Sequence, residues 1–379
     1  MRITGRPSRT EKGALAPKRG RVRKPLAMTK LVDVARVADV STATVSRVLN
    51  SPNMVSEASR VRVHAAIKEL NWIPHGAAKA LASLRTRTVG ALIPTLSHQA
   101  ISAMLESLQQ VLGDAGYTLL LGRPDASPDR TVRQAMKMIE HGIECLVLMG
   151  EEQPKALMAL LEQRNVFYVV AYTSGRMGLK NCIGFDNFLE MSRLVQHLLD
   201  LGHKNFGLLT RSFEGNDRIR QRVEAVHETL ARVGIAIRPQ HKIIVPSWAL
   251  GAGRNGMQQV LQALPRPTAV VCVNDYLAAG ALIEAKAEGL HVPDDISIVG
   301  FDDLELAAQL DPPLTTVRVP APQIGEEIGR FILGHLEGGS AQLPDRFEAT
   351  LMIRGSTGRP PESQRAAAAP PVNSSGSGT

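Results

Sequence analysis

"DVSTATVSRVLN", Asp39–Asn50, is dense in Val and Thr, whose branched Cβ atoms favour strands. A two-residue period leaves its apolar side chains on both faces, whereas a 3.6-residue period gathers Val45, Val48 and Leu49 into one stripe. Ser41 stands where a hydroxyl can cap the first turn. The stretch therefore reads as a short amphipathic helix, with Thr42, Ala43, Ser46, Arg47 and Asn50 facing away from the stripe.

The flanks carry the same period. In "TKLVDVARVADVS", Leu31, Val34, Ala35 and Ala38 fall at helical spacing behind Thr29 as N-cap, and the pattern breaks at Asp39-Val40. A third helix from Ser56 to Asn71 carries Val63, Ile67 and Leu70, with Ser56 and Glu57 as cap and dipole partner. Three short helices can share one small core. Two helices joined by a tight turn, the second presenting small polar residues and an Arg, fit a helix-turn-helix whose second helix enters the DNA major groove by its amino-terminal end. Arg47 can donate twice to a guanine edge, Thr42 and Ala43 can lie against thymine methyls, and Ser46 or Asn50 can bond phosphates or base edges.

Charge agrees with that reading. The 379 residues carry a formal +8, yet residues 1–87 hold 18 Lys/Arg against 5 Asp/Glu, leaving 26 against 31 for the rest. A basic end on a mildly acidic body suits a polyanionic partner, because neutralising phosphates releases condensed counterions. Residues 1–27 read as a basic disordered arm and 359–379 as a disordered tail without the heptads of a tetramerisation coil. No apolar run reaches membrane length and no signal peptide is evident, so the expected place is the cytoplasm. Cys145, Cys182 and Cys272 are odd in number and sit in or beside apolar runs, which reads as buried free thiols rather than a disulfide or metal site. No catalytic or metal-binding spacing appears.

From Thr88 onward short continuous apolar runs alternate with helical stretches. "VGALIP", "YTLLLG", "ECLVLMG", "VFYVVAY", "NFGLLT", "KIIVPS", "AVVCVND" and "ISIVGFDD" read as parallel strands covered on both faces. Such an α/β body binds ligands beyond the carboxyl ends of its strands. At those ends or in the loops after them lie Arg222, Trp248, Asn274, Asp275 and Asp302.

"LVDVARVADVSTATVSRVLN" followed by "VSEASRVRVHAAIKELNWIPHGAAKALAS" resembles the DNA-binding headpiece of the LacI/GalR family of bacterial repressors, and the similarity runs almost to the end of the chain. The resemblance implies a headpiece over 28–74, and a hinge helix and linker over 75–87 whose Leu81 wedges into the minor groove. It further implies a two-lobed body over 88–358, similar to periplasmic sugar-binding proteins. Lobe 1 covers about 88–185 and 320–347, and lobe 2 about 186–319 and 349–358. Arg222, Asn274 and Asp302 match the family's polar effector contacts, Trp248 its aromatic wall and Phe185 an apolar crevice residue. Together these imply a homodimeric repressor that binds a palindromic double-stranded operator, responds to a sugar or sugar acid, and needs neither cofactor nor membrane. "IGFDNF", Ile183–Phe188, looks most like the gluconate-utilisation repressors of the family, and Arg222 offers a fork to a carboxylate. The departures are Asp39 where a turn Gly is usual, Ala225 where a Gly is frequent, and "VVAYTSG" without an acidic residue.

One rival belongs to another class. Gly251, Gly253 and Gly256 in "LGAGRNGM" satisfy a dinucleotide-binding spacing, and Asp275 follows at a distance suited to a ribose hydroxyl, as in an oxidoreductase. Against it, Pro246 to Leu250 separate the strand from the first Gly, so a tight strand-to-helix turn is missing.

Overall fold

The computed structural model describes residues 29–73, 85–124, 127–339, 342–343 and 346–362. The chain divides after Ala82 into two compact units. The basic arm, Leu81 and most of the expected hinge, and the tail beyond 362 lie outside the described residues.

The first unit holds α1 (Leu31–Val37), α2 (Thr42–Asn50) and α3 (Glu57–Glu69). Their core is Val34, Ala35, Ala38, Val45, Val48, Val63, Ala66 and Trp72, with Leu31, Leu49, Ile67 and Leu70 packed at its edge. The three helices expected from periodicity are therefore present. Ala66 and Trp72 complete a core that the pattern only partly named. The N-cap of α1 is Lys30 rather than Thr29, and Asp33 receives the Lys30 amide at 2.9 Å. Between α1 and α2, Asp39 sits at φ 51°, while the Val40 amide donates to Ala35 O at 3.0 Å. This is a left-handed helix stop in which Asp does what Gly does elsewhere.

The second unit is built on two parallel sheets. The first orders its strands β2-β1-β3-β4-β5, from β1 (Thr88–Leu92), β2 (Thr118–Gly122), β3 (Cys145–Met149), β4 (Phe167–Ala171) and β5 (Cys182–Ile183). The second orders them β7-β6-β8-β9, from β6 (Phe206–Arg211), β7 (Lys242–Val245), β8 (Ala269–Cys272) and β9 (Ser297–Val299). All eight runs read from sequence are strands. Central β3 and β8 are buried along their whole length, which is why they are continuously apolar, whereas edge strand β2 is partly exposed. Cys145 and Cys272 are buried free thiols as expected, but Cys182, at the sheet edge, is only half-buried.

The helices of the first lobe are α4 (Gln99–Asp114), α5 (Pro128–Glu140) and α6 (Lys155–Gln163), joined by the late-returning α11 (Ala321–Leu336), which packs on α4. Those of the second are α7 (Asn187–Asp200), α8 (Asp217–Ala231), α9 (Leu250–Gln262) and α10 (Asp275–Ala287). An antiparallel pair, β10 (Thr316–Arg318) with β11 (Thr350–Met352), packs against α7. The Phe347 amide donates to Gly184 O at 2.9 Å, so the outgoing and returning crossovers between the lobes are tied to each other.

The glycines of "LGAGRNGM" lie inside α9, not in a phosphate-cradling loop. A Cβ on Gly253 would come within 2.5 Å of Leu277 O, and one on Gly280 of α10 within 2.2 Å of Leu250 O. They let two helix backbones touch, which is a packing duty and removes the dinucleotide-binding reading. Asp275 is equally structural: its carboxylate accepts from the Thr316 hydroxyl at 2.6 Å and the Leu304 amide at 2.7 Å, wholly buried.

Candidate functional site

On α2 the polar face expected from sequence is solvent-facing. Ser41 accepts from the Thr44 amide at 3.1 Å and so caps the helix. Val45 and Val48 point into the core, while Thr42, Ala43, Arg47 and Asn50 are exposed and Ser46 is half-buried, its Oγ accepting from Asn50 Nδ2 at 3.3 Å. The cap binds one amide, and the other first-turn N–H groups stay open to an anion.

In the body, both sheets share one strand order, in which the first strand lies between the second and third. That order places a ligand crevice outside the carboxyl ends of the first and third strands. In both lobes the loops at this end line a cavity of about 240 Å³, bounded by Thr95, His98 and Tyr172 on one side and Arg222, Trp248 and Asp302 on the other. Asn274 and Arg218 also line it.

The polar centre is a buried network around Arg222, one turn into α8. Its Nε donates to Asn187 Oδ1 at 2.9 Å, Nη1 to Val273 O at 2.8 Å and Nη2 to Asp302 Oδ1 at 3.3 Å. The guanidinium lies 3.7 Å above the centre of the Phe301 ring. Asp302 Oδ2 is 3.1 Å from His98 Nε2, which brings the first lobe to the same carboxylate. Burial alone raises the Asp302 pKa, but Arg222 and His98 outweigh it and hold the carboxyl below its ordinary value. Asp302 adopts φ 114°, a strained conformation, and is held there by its amide bond to Val317 O at 2.9 Å. Neighbouring Asp303 is anchored by Arg318 and Arg354, each at 2.7 Å.

Four of the five ligand residues expected from sequence thus meet at one cavity, and one does not. Trp248 is half-buried at the wall with the Arg211 guanidinium 5.5 Å from its ring, and Asn274 caps α10 through the Leu277 amide at 3.0 Å while lining the cavity. Phe185 is wholly buried behind it, 5.7 Å from Tyr172 and 6.2 Å from Phe301 between ring centres. It supports the wall and is not part of the lining, because the chain crosses between lobes there and is covered from both. Sequence reasoning missed Asn187, which bridges Tyr172 O at 3.1 Å to Arg222. The only available signal was its place inside "IGFDNF". Nothing in the sequence pattern singled out His98, which reaches Asp302, or His203, which is buried between Thr268 and Gly358 at 2.9 Å from each. Arg218 was passed over altogether.

Among the described residues no helix is long and apolar enough to cross a membrane, and no group of three His, Cys, Asp or Glu side chains is arranged to hold a metal ion.

Comparison with known proteins matches residues 30–75 to the model of bacterial regulatory proteins of the lacI family and residues 195–357 to a periplasmic binding protein-like domain. The chain is 33% identical over 327 residues to the HTH-type transcriptional repressor CytR of Escherichia coli strain K12, covering 86% of this chain and 95% of that one. A transcriptional regulator from Silicibacter pomeroyi superposes with a TM-score of 0.80 at 28% identity, covering 87% of this chain and all of the other. The lac repressor dimer bound to operator and the anti-inducer ONPF superposes with a TM-score of 0.78 at 27% identity, covering 87% of this chain and 99% of that one.

Proposed function

This chain belongs to the lacI family of bacterial regulatory proteins, and from that premise we infer that it binds a palindromic operator as a homodimer in the cytoplasm and represses genes of sugar or sugar-acid breakdown, gluconate being one candidate. It is a DNA-binding transcriptional regulator and not an enzyme. The observation that carries the operator reading is the division of α2 into a core face, Val45 and Val48, and an exposed face, Thr42, Ala43 and Arg47, ahead of a capped helix start. That is the geometry a recognition helix needs to place its first turn against base edges.

Control comes from the cleft. A ligand gripped by Arg222 and Asn274 on one lobe and by residues such as Thr95 on the other favours one lobe arrangement over another. It changes operator affinity only by its difference in affinity for the two. Leu81 serves as the minor-groove wedge in this scheme. The test is fluorescence anisotropy on a palindromic duplex and a scrambled one at matched salt. Arg47→Ala is expected to cost about 1–3 kcal/mol on the palindrome and to relax preference at one base position. Equal affinity of the wild-type chain for both duplexes defeats the operator reading.

A further inference from the structure

Arg218 and Arg222 stand four residues apart on α8, so their side chains share one helix face and both line the cavity. Their surroundings differ. The charge of Arg222 is matched by Asp302, and three of its N–H groups are already given to Asn187, Val273 and Asp302. Arg218 is 9% exposed, its Nε has no hydrogen-bond partner among the described residues, and it forms no ion pair with any of them. The adjacent Asp217 attracts the Arg218 charge through space without pairing with it, its Oδ2 accepting from the Glu151 amide at 2.8 Å.

A guanidinium withdrawn from water without a countercharge is costly, and a helix gains nothing from a second cation one turn before Arg222. The charges of Asp217 and Asp302 offset that cost only in part, and burial outweighs them, so the Arg218 pKa is lowered. Two further cations, Arg123 and Arg211, stand exposed at the rim of the same cavity, and among the described residues its only lining carboxylate is Asp302. An anion brought to Arg222 meets Asp302 at once, so the Arg222–Asp302 pair suits neutral hydroxyls, to which it can both donate and accept. An anion brought to Arg218 meets a guanidinium to which no carboxylate is paired, with the cations Arg123 and Arg211 at the same rim. We infer that the cleft takes an anionic small molecule and that Arg218, not Arg222, receives its carboxylate or phosphate group. This rests on the cleft being the effector site and names the class of effector.

The experiment follows the thermal midpoint of the full-length protein at constant ionic strength while inorganic phosphate, D-gluconate or D-glucose is titrated in, for the wild type, Arg218→Gln and Arg218→Lys. At least one of the two anions is expected to raise the wild-type midpoint saturably, and whichever acts at the lower concentration tells phosphate from carboxylate. Arg218→Gln is expected to weaken that anion's binding about tenfold or more, the worth of a lost charge-assisted bond, with Arg218→Lys intermediate. Without ligand, Arg218→Gln is expected to melt at the same temperature as the wild type or higher, since an unmatched charge is removed, whereas a structural arginine would give a lower midpoint. The inference is overturned if neither anion shifts the wild type, or if the shift survives in Arg218→Gln. Operator affinity measured alongside separates the two claims. An Arg218-dependent anion response without any change in operator affinity sinks the effector reading alone, and operator release by D-glucose with no anion response sinks the anion assignment alone.

Discussion

Arg222 Nη2 lies 3.3 Å from Asp302 Oδ1, and the two side chains are only 5% and 3% exposed. They come from α8 and from the loop after β9, so the contact ties the first turns of a helix to the far side of the same sheet. Asp302→Ala leaves a buried guanidinium without its countercharge and is expected to cost about 3–5 kcal/mol in urea unfolding of the full-length protein. Asp302→Asn keeps an oxygen for Arg222 and should cost visibly less. Equal losses for the two variants would show that the countercharge, not the shape or the retained oxygen, is what matters there.

The turn residue gives a second expectation. Asp39 holds φ 51° and reaches Arg62 only at 3.8 Å with its side chain almost fully exposed, so the ion pair contributes little and the backbone conformation dominates. Asp39→Gly should leave the three-helix unit as stable or more so, while Asp39→Ala should weaken it by about 0.5–1 kcal/mol or more. Hydrogen exchange of the Val34 and Val45 amides in the full-length chain reads the difference.

Helix contact between α9 and α10 gives a third. An added methyl at Gly253 or Gly280 meets backbone rather than a yielding side chain, so each Ala variant is expected to lose about 1–3 kcal/mol by thermal melting. A Cβ on Gly280 would also come within 2.8 Å of the Gly253 Cα. The double variant should therefore lose less than the sum of the singles, because one separation of the helices relieves both clashes. Simple additivity would contradict the shared contact.

Asp275 supplies a pH dependence. Burial first, and the nearby Asp302 charge second, push its pKa from 3.8 up to about 7. The folded state thus holds the proton more tightly than the unfolded chain does. The stability this contributes is complete below pH 3.8, declines as pH rises toward about 7, and changes no further above it. Asp275→Asn removes the titration, so its midpoint relative to the wild type should climb between pH 4 and about 7 and then level off. A difference that is flat over that range would show that Asp275 is ionised throughout in the fold.

Much of this was legible beforehand because it is periodic. Val45 and Val48 had to share a face, and "CLVLM" and "AVVC" had to be covered on both sides, whatever else the chain did. The short strands β5, β10 and β11 were not legible, since two or three residues carry no period. The glycines of α9 matched a phosphate-loop spacing, but spacing does not say whether a missing Cβ admits a ligand or another helix.

The amino-acid sequence by itself determined the division into a basic three-helix unit and an α/β body, the face each helix buries and the strand ends where a ligand could sit. Those follow from local order, in which each residue's neighbours along the chain fix the direction of its side chain. Tertiary structure alone decided what each charged group meets. Arg218 and Arg222 are the same residue type on the same helix face, yet Arg222 pairs with Asp302, 80 residues away, and Arg218 pairs with no carboxylate among the described residues. Coulomb interaction and desolvation depend on distance through space, and that distance is set only when the two sheets and their crossovers close around the cleft.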